Sequence, residues 1–499
     1  MQHQATPGPK PGAKTASPTY NPRRLSRREL FARSGSLLCG TALASILGKE
    51  LFPSHSLLTA RDKRYDLKAR TPHFDPKAKA VIHLFMNGGP SQVDLFDPKP
   101  LLKKYAGTVP NRDLTSDITS PTQSGGLLPS PYTFSKHGQS GMELSELLPH
   151  LATCVDDIAL IRSMYGAHFN HEPAIFFMQT GRTIATRPSV GSWVSYGLGT
   201  ENQNLPAYVV LDDPKGLPVN GIANWQSAWL PLVYQGTRFR SEGPPVLNLD
   251  PRPEWPVSLV KSQRTLLQDL DRAHLRERPN EPYLEGRIAS YELAARMQLA
   301  ASDALDLSKE TEQTREMYGL NRKESASYGK RCLMARRLVE RGVRFVQLYI
   351  ENQIWDAHSD LDKMLRYSCA KTDQPVTALL TDLKQRGLLD STLVVWGGEF
   401  GRLPLSQTQA SSGIAGRDHG PSGFSVWMAG GGIRGGTTYG ATDDFGHKAV
   451  ENRVSVHDFH ATILNQLGMN FRDLAYERHG LHERLTDQFP ARIVSEILT

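Results

Sequence analysis

Two apolar runs in this chain end in a Gly-Gly pair, and that narrows the possible folds more than any other feature. Ala80 to Met86 (AVIHLFM) closes on Asn87-Gly88-Gly89-Pro90, and Ser391 to Trp396 (STLVVW) closes on Gly397-Gly398-Glu399. Ile158 to Ser163, Tyr208 to Leu211, Val343 to Ile350 (VRFVQLYI) and Ser425 to Ala429 are similar short runs. Continuous apolar stretches of this length are what a sheet buried on both faces requires. Between them the spacing turns helical, through Leu266, Leu267 and Leu270, then Tyr291, Ala294 and Met297, then Cys332, Ala335 and Val339. Leu361 to Arg386 reads as a long helix, Val454 to Leu467 as a closing one, and a further helix is predicted near Leu144 to Cys154. The alternation predicts an α/β fold whose central, mostly parallel sheet is sandwiched by helices. Residues 200 to 256, rich in Pro, Gly and Trp, read as an irregular insertion, and 256 to 342 as a helical segment of the same domain.

In such sheets ligands collect beyond the carboxyl ends of the strands, where glycines allow close approach. Polar chemistry gathers at those points in this sequence: His168, His171 and Glu172; Asp356, His358 and Asp360; Glu399; Asp418 and His419; and His457, Asp458 and His460. Imidazole and carboxylate together suit a divalent transition metal. A single Asp-x-His or His-x-x-His occurs in ordinary loops. The prediction therefore rests on several clusters converging, and these points are read as loops rather than helix faces. Asp94 and Asp97 of DLFDPKP fit metal ligands or turn formers, and the turn is the preferred reading.

Charge separates the body from its leader. The formal net charge is +7, yet residues 1 to 44 alone hold Lys10, Lys14, Arg23, Arg24, Arg27, Arg28 and Arg33 against Glu29. The remainder is nearly neutral, which argues against nucleic acid as a partner, since that demands clustered cations. Ser26-Arg27-Arg28-Glu29-Leu30-Phe31 ahead of the weakly apolar run Ser34 to Gly48 reads as a twin-arginine signal over 1 to 48. The expected partner is the twin-arginine export machinery, and the expected location periplasmic or extracellular. Residues 49 to 76 read as an extended connector and 77 to 499 as one domain. No run is long enough for an integral membrane span in the mature chain.

Cys39 lies in the leader, which leaves Cys154, Cys332 and Cys369, widely spaced and without a C-x-x-C, so buried thiols are expected. Gly-x-Ser-x-Gly and the phosphate loop are missing, and the Gly-x-Gly-x-x-Gly at Gly430 to Gly435 leads from a strand into a Gly-rich turn rather than a helix, so serine hydrolase, kinase and dehydrogenase readings fall.

HLFMNGGPSQVDLFDPKP, WDAHSD, STLVVWGGEFGR, GRDHGPSGFSVWMAGGG and VHDFHATILNQLG, in that order over residues 78 to 470, resemble the twin-arginine-exported family known as domain of unknown function 1501. That family is placed near the sulfatases in the alkaline phosphatase superfamily, whose members hydrolyse sulfate or phosphate esters with metal ions and a nucleophile on a central sheet. His171 to Arg182 (HEPAIFFMQTGR) is similar to the sulfatase stretch that carries a formylglycine-forming Cys. Pro173, Thr180, Gly181 and Arg182 match it, but His171 stands at the nucleophile and Ile175 at the sulfatase Arg, so formylglycine chemistry does not carry over.

The resemblance implies a site as well as a fold. Asp356, His358 and His419 match metal-binding positions; Asn87 stands where the superfamily has a metal-binding Asp; and Glu399-Phe400 stands where it has Asp-His. The implied function is an exported metal-dependent hydrolase of sulfate or phosphate esters, its substrate a small-molecule or glycan ester. The divalent ion (zinc, manganese, calcium or magnesium) would be held by Asp356, His358, His419, Glu399 and Asn87. His171, Glu399 and Arg182 are the candidate catalytic residues, with Arg182 and Arg402 as anion partners. The altered nucleophile, Asn87 and Phe400 equally fit an alternative: a non-catalytic extracytoplasmic protein on the same fold that binds a glycan, an anion or a surface partner.

Overall fold

Ala80–Phe85 (β1) is buried at every residue, and so is Phe345–Tyr349 (β5), so neither strand has a solvent face. The same is true of Tyr208–Leu211 (β3), Thr392–Gly397 (β6) and Phe424–Ala429 (β7). With Ile158–Tyr165 (β2), Thr237–Phe239 (β4), Thr437–Tyr439 (β8) and Val454–Ser455 (β9) they make a nine-stranded sheet in the order β8-β2-β7-β6-β1-β5-β3-β4, with β9 beside β2. In this computed structural model, which describes residues 65–108, 123–246, 255–278, 281–408 and 414–499, only β7 runs against its neighbours β6 and β2. The others are parallel, as the apolar runs require. All the described residues fall in one compact unit.

Parallel strands need crossovers, and helices supply them. The main ones are His171–Thr180 (α1), Val190–Leu198 (α2), Val257–Glu277 (α3), Pro282–Leu305 (α4), Ala326–Glu340 (α5), Leu361–Gln385 (α6) and Val456–Gln466 (α7). Gly181 ends α1 at φ +73°, where a side chain would be strained. No described helix is long and apolar enough to cross a membrane. The predicted leader lies outside the described residues, as does the connector up to residue 64. The rest of the connector is anchored: Leu67 is buried, and His73 and Lys77 donate backbone hydrogen bonds to Gly468 and Gln466.

Register aligns the chemistry. Phe85 of β1 pairs with Tyr349 of β5 and Gly397 of β6, so three neighbouring strands release their chains at one level. Beyond β6 lies a three-stranded antiparallel sheet of Ser124–Leu127, Gly401–Gln407 and Gly416–Gly420, in which Arg402 pairs with His419. Two buried polar links join it to the turn after β1. Gln92 accepts from the Arg402 amide at 2.8 Å and donates to its carbonyl at 2.7 Å. Asp94 takes both arms of Arg417 at 2.7 and 3.0 Å.

Several expectations need correcting. The helix near Leu144 to Cys154 is instead a strand, Met142–Ser145, and a 3-10 turn, Leu151–Asp157, separated by Pro149, which has no N–H to extend a helix. Within 200 to 256, β3 is the strand expected at Tyr208 to Leu211, while Thr237–Phe239 (β4) adds an edge strand where an irregular stretch was expected. Asp94 is a buried ion-pair partner rather than a turn former, and Asp97 accepts from Thr442 and meets Lys99 at 3.1 Å. The three body cysteines are buried and free, as expected.

Candidate metal centre

The glycines after β1 make room for everything that follows. A Cβ on Gly88 would lie 2.8 Å from the Asp356 amide, and one on Gly89 would lie 2.6 Å from the Phe400 ring. On the far side, a Cβ on Gly416 would lie 2.2 Å from the His358 carbonyl carbon. The loop after β5 is thus pressed between the β1 turn and the small sheet, and it carries Asp356 and His358 to His419. His171, the first residue of α1, comes in from the end of β2.

Four side chains converge. One ligand-type atom from each of His171, Asp356, His358 and His419 lies within 4.8 Å of the others. Three form a tight triangle: Asp356 Oδ1 is 2.9 Å from His358 Nε2 and 3.2 Å from His419 Nε2, and the two nitrogens are 3.0 Å apart. A tetrahedral zinc site with bonds near 2.0–2.1 Å has ligand–ligand edges of roughly 3.3 Å. Three lone-pair atoms this close repel one another unless protons or a cation lie between them, so the triangle fits a divalent ion.

Outer contacts support that reading. His358 Nδ1 donates to Gln407 Oε1, which leaves Nε2 as the lone-pair nitrogen aimed at the triangle. His171 Nδ1 donates to Glu399 Oε1 at 2.6 Å, Glu399 also accepts from the Gly88 amide at 2.9 Å, and His171 Nε2 is 3.3 Å from Asp356 Oδ2. The Phe400 ring packs on His171 and His419 at centroid distances of 4.8 and 4.7 Å. The four converging side chains remain 11% to 21% exposed, so solvent reaches one side of the cluster.

Electrostatics divide the imidazoles. Burial pushes His171 down, but its bonds to Asp356 and Glu399 outweigh that and raise it to about 9. His419 goes the other way, to about 4, because burial, Arg402 and His171 together outweigh its bond to Asp356. Burial would raise Asp356, yet Arg402 and the imidazoles hold it well below the usual carboxylate range. Without an ion, then, imidazolium at His171 and guanidinium at Arg402 balance Asp356 and Glu399. The sign of the linkage follows. His171 stabilises the ion-free fold below the unfolded value near 6.5, and that contribution is lost as pH rises through about 9. A divalent ion disfavours the imidazolium, so its binding expels a proton. Zinc affinity is expected to rise by up to about tenfold per pH unit from neutrality to 9 and to flatten above it. Titrations at several pH values check this. A flat profile, or one that His171→Asn leaves unchanged, would contradict it.

The other candidates lie as follows. Asn87 is buried, and its Oδ1 accepts from the Ile350 amide at 3.1 Å, tying β1 to the end of β5. Glu399 reaches the cluster through His171. Arg182 donates to Asp487 at 2.8 Å and lies over the Phe489 ring. Arg402, 1% exposed, is no free anion partner: it donates to the carbonyls of Gly88, Gly89 and Arg417 and to Asp356 at 2.6 Å. His457 and His460 lie on α7 and hydrogen-bond the carbonyls of Gly181 and Met178, and His419 lies on a strand, so the loop expectation fails for them. Asp458 caps α7 and His168 accepts from the Asn170 amide. Gln407 was not foreseen, since one glutamine in a polar strand carries no signal.

Residues 78–498 match the family described as protein of unknown function (DUF1501). No curated protein matches the sequence. Among solved structures, the chain is similar to the lipoteichoic acid synthase LtaP from Listeria monocytogenes (8% identity, 82% of this chain and 77% of that one, TM-score 0.35). It is also similar to the alkaline phosphatase from the Antarctic bacterium TAB5 (11%, 80% and 99%, TM-score 0.35) and the PsFucS1 sulfatase from Pseudoalteromonas sp. (11%, 80% and 68%, TM-score 0.33).

Proposed function

The chain belongs to the DUF1501 family, and from that premise we propose that it is an exported, metal-dependent hydrolase of phosphate or sulfate esters. The observation that carries this is the triangle of Asp356, His358 and His419 at the solvent-reached, carboxyl edge of the sheet. Three protein ligands with an open side are the pattern of a catalytic rather than a structural zinc site. Asp356, His358 and His419 would hold a divalent ion there, and such an ion would supply Lewis acidity and make water a stronger nucleophile near neutral pH.

The chain's own groups do the rest. His358 is oriented by Gln407. Arg402 holds Asp356 from behind, so the carboxylate cannot swing away. His171 is held through Nδ1 by Glu399, and once its second proton has been displaced its Nε2 lone pair stands beside the site as a general base toward water. Phe400 keeps water from the back of both rings. Export by the twin-arginine route rests on Ser26-Arg27-Arg28 and the run after it.

The test is turnover by protein loaded with zinc or manganese on phosphate and sulfate monoesters at neutral pH. The expected result is hydrolysis that His358→Ala abolishes. A metal-loaded protein inert on every ester would overturn the hydrolase and leave a metal-dependent binder.

A further inference from the structure

A cavity of about 350 Å³ borders the loop that leads into His171, lined by Tyr165 and Gly166 at the end of β2, Phe177 of α1, Arg182 just after it, and His457 and Phe489. Its wall backs onto the site: the Gly166 amide donates to the Pro421 carbonyl at 2.8 Å, and a Cβ on Gly166 would lie 3.8 Å from the Glu399 carbonyl oxygen. The loop from Gly166 runs directly into His171. An apolar cavity of roughly 150 Å³ already accepts a benzene ring, so this one has space for two fused rings.

The polar groups of the cavity decide what it takes. Arg182 gives both its Nε and an outer nitrogen to Asp487 and stacks its guanidinium on Phe489. His457 Nε2 is engaged with the Gly181 carbonyl, and its ring stacks on Phe489 at 4.6 Å. Ser455 Oγ accepts from the Asp458 amide and so caps α7. The lining is mostly apolar, so a sugar ring would bring more hydroxyls than the few polar groups there can pair. A flat aromatic group has no such need and meets the edges of Phe177 and His457, themselves packed at 5.3 Å.

We infer that this cavity seats an aryl group, the alcohol portion of the ester that the metal centre hydrolyses. The inference rests on the hydrolase reading, but the binding itself does not require the ion.

The test uses the full chain, 2-naphthol as probe and galactose as comparator, with binding followed by saturation-transfer NMR and calorimetry. 2-Naphthol is expected to bind and galactose not to. Ala167→Trp, on the exposed rim, and Phe489→Ala, at a side chain 43% exposed, should each weaken 2-naphthol at least tenfold while metal content stays unchanged. His358→Ala should abolish turnover and keep 2-naphthol binding, which separates a failed hydrolase from a failed cavity. Undetectable 2-naphthol binding, unchanged binding in both rim variants, or preferred binding of galactose would overturn the inference.

Discussion

His358→Ala is expected to lower affinity for a divalent ion by more than about 100-fold and to bring ester hydrolysis to background, with the fold kept. Removing a group one step further out, as in Gln407→Ala, is expected to cost less, about 10- to 100-fold, because such partners orient a ligand without being one. The ranking follows from geometry. His358 Nε2 is a corner of the triangle, whereas Gln407 touches only its other nitrogen. Folding should survive both changes, since the His358 side chain is 16% exposed and at the solvent edge. Competition titrations with a chelating dye check the order. Equal affinities in wild type and His358→Ala would remove this side chain from the ligand set.

Arg417→Met is expected to cost about 3–5 kcal/mol of stability, the range for losing one partner of a fully buried ion pair. Arg417 and Asp94 have no exposed side-chain surface, and Asp94 would be left with only Ser91 Oγ at 2.5 Å. The loss would also reach the metal centre, because Arg417 lies two residues before His419 on the strand that pairs with Arg402. Making both partners apolar, Arg417→Met with Asp94→Leu, should recover much of the stability, since no charge is stranded. Chemical denaturation of the two variants measures this. A single variant as stable as wild type would show that the pair does not hold the small sheet in place.

The fold was legible where burial on both faces writes continuous apolar runs, as in Ala80–Phe85 and Thr392–Gly397, and where long amphipathic spacing marks Leu361–Gln385. It was illegible near Leu144, where local apolar spacing suggested a helix and Pro149 decided otherwise, and at Thr237–Phe239, too short to carry a pattern. For the site, carboxylates and imidazoles after strands drew attention to Asp356, His358, His419 and His171, and the structure brings those four together. Separating them from His457 and His460 needed tertiary contacts, because all are histidines near acids. Only the structure shows that the latter two serve backbone carbonyls. Arg402 shows the converse. In sequence Arg402 fits either an anion partner or, more readily, a salt bridge, and in the structure four of its five N–H groups go to Gly88, Gly89, Arg417 and Asp356.

The most direct measurement is the metal content of the chain purified without chelators or an immobilised-metal column, by elemental analysis alongside His358→Ala. The expected result is about one tightly held zinc- or manganese-type ion per wild-type chain, lost in the variant. A folded wild-type protein that carries no ion, and takes none up when zinc or manganese is added at pH 8, would contradict the metal centre and the hydrolase built on it.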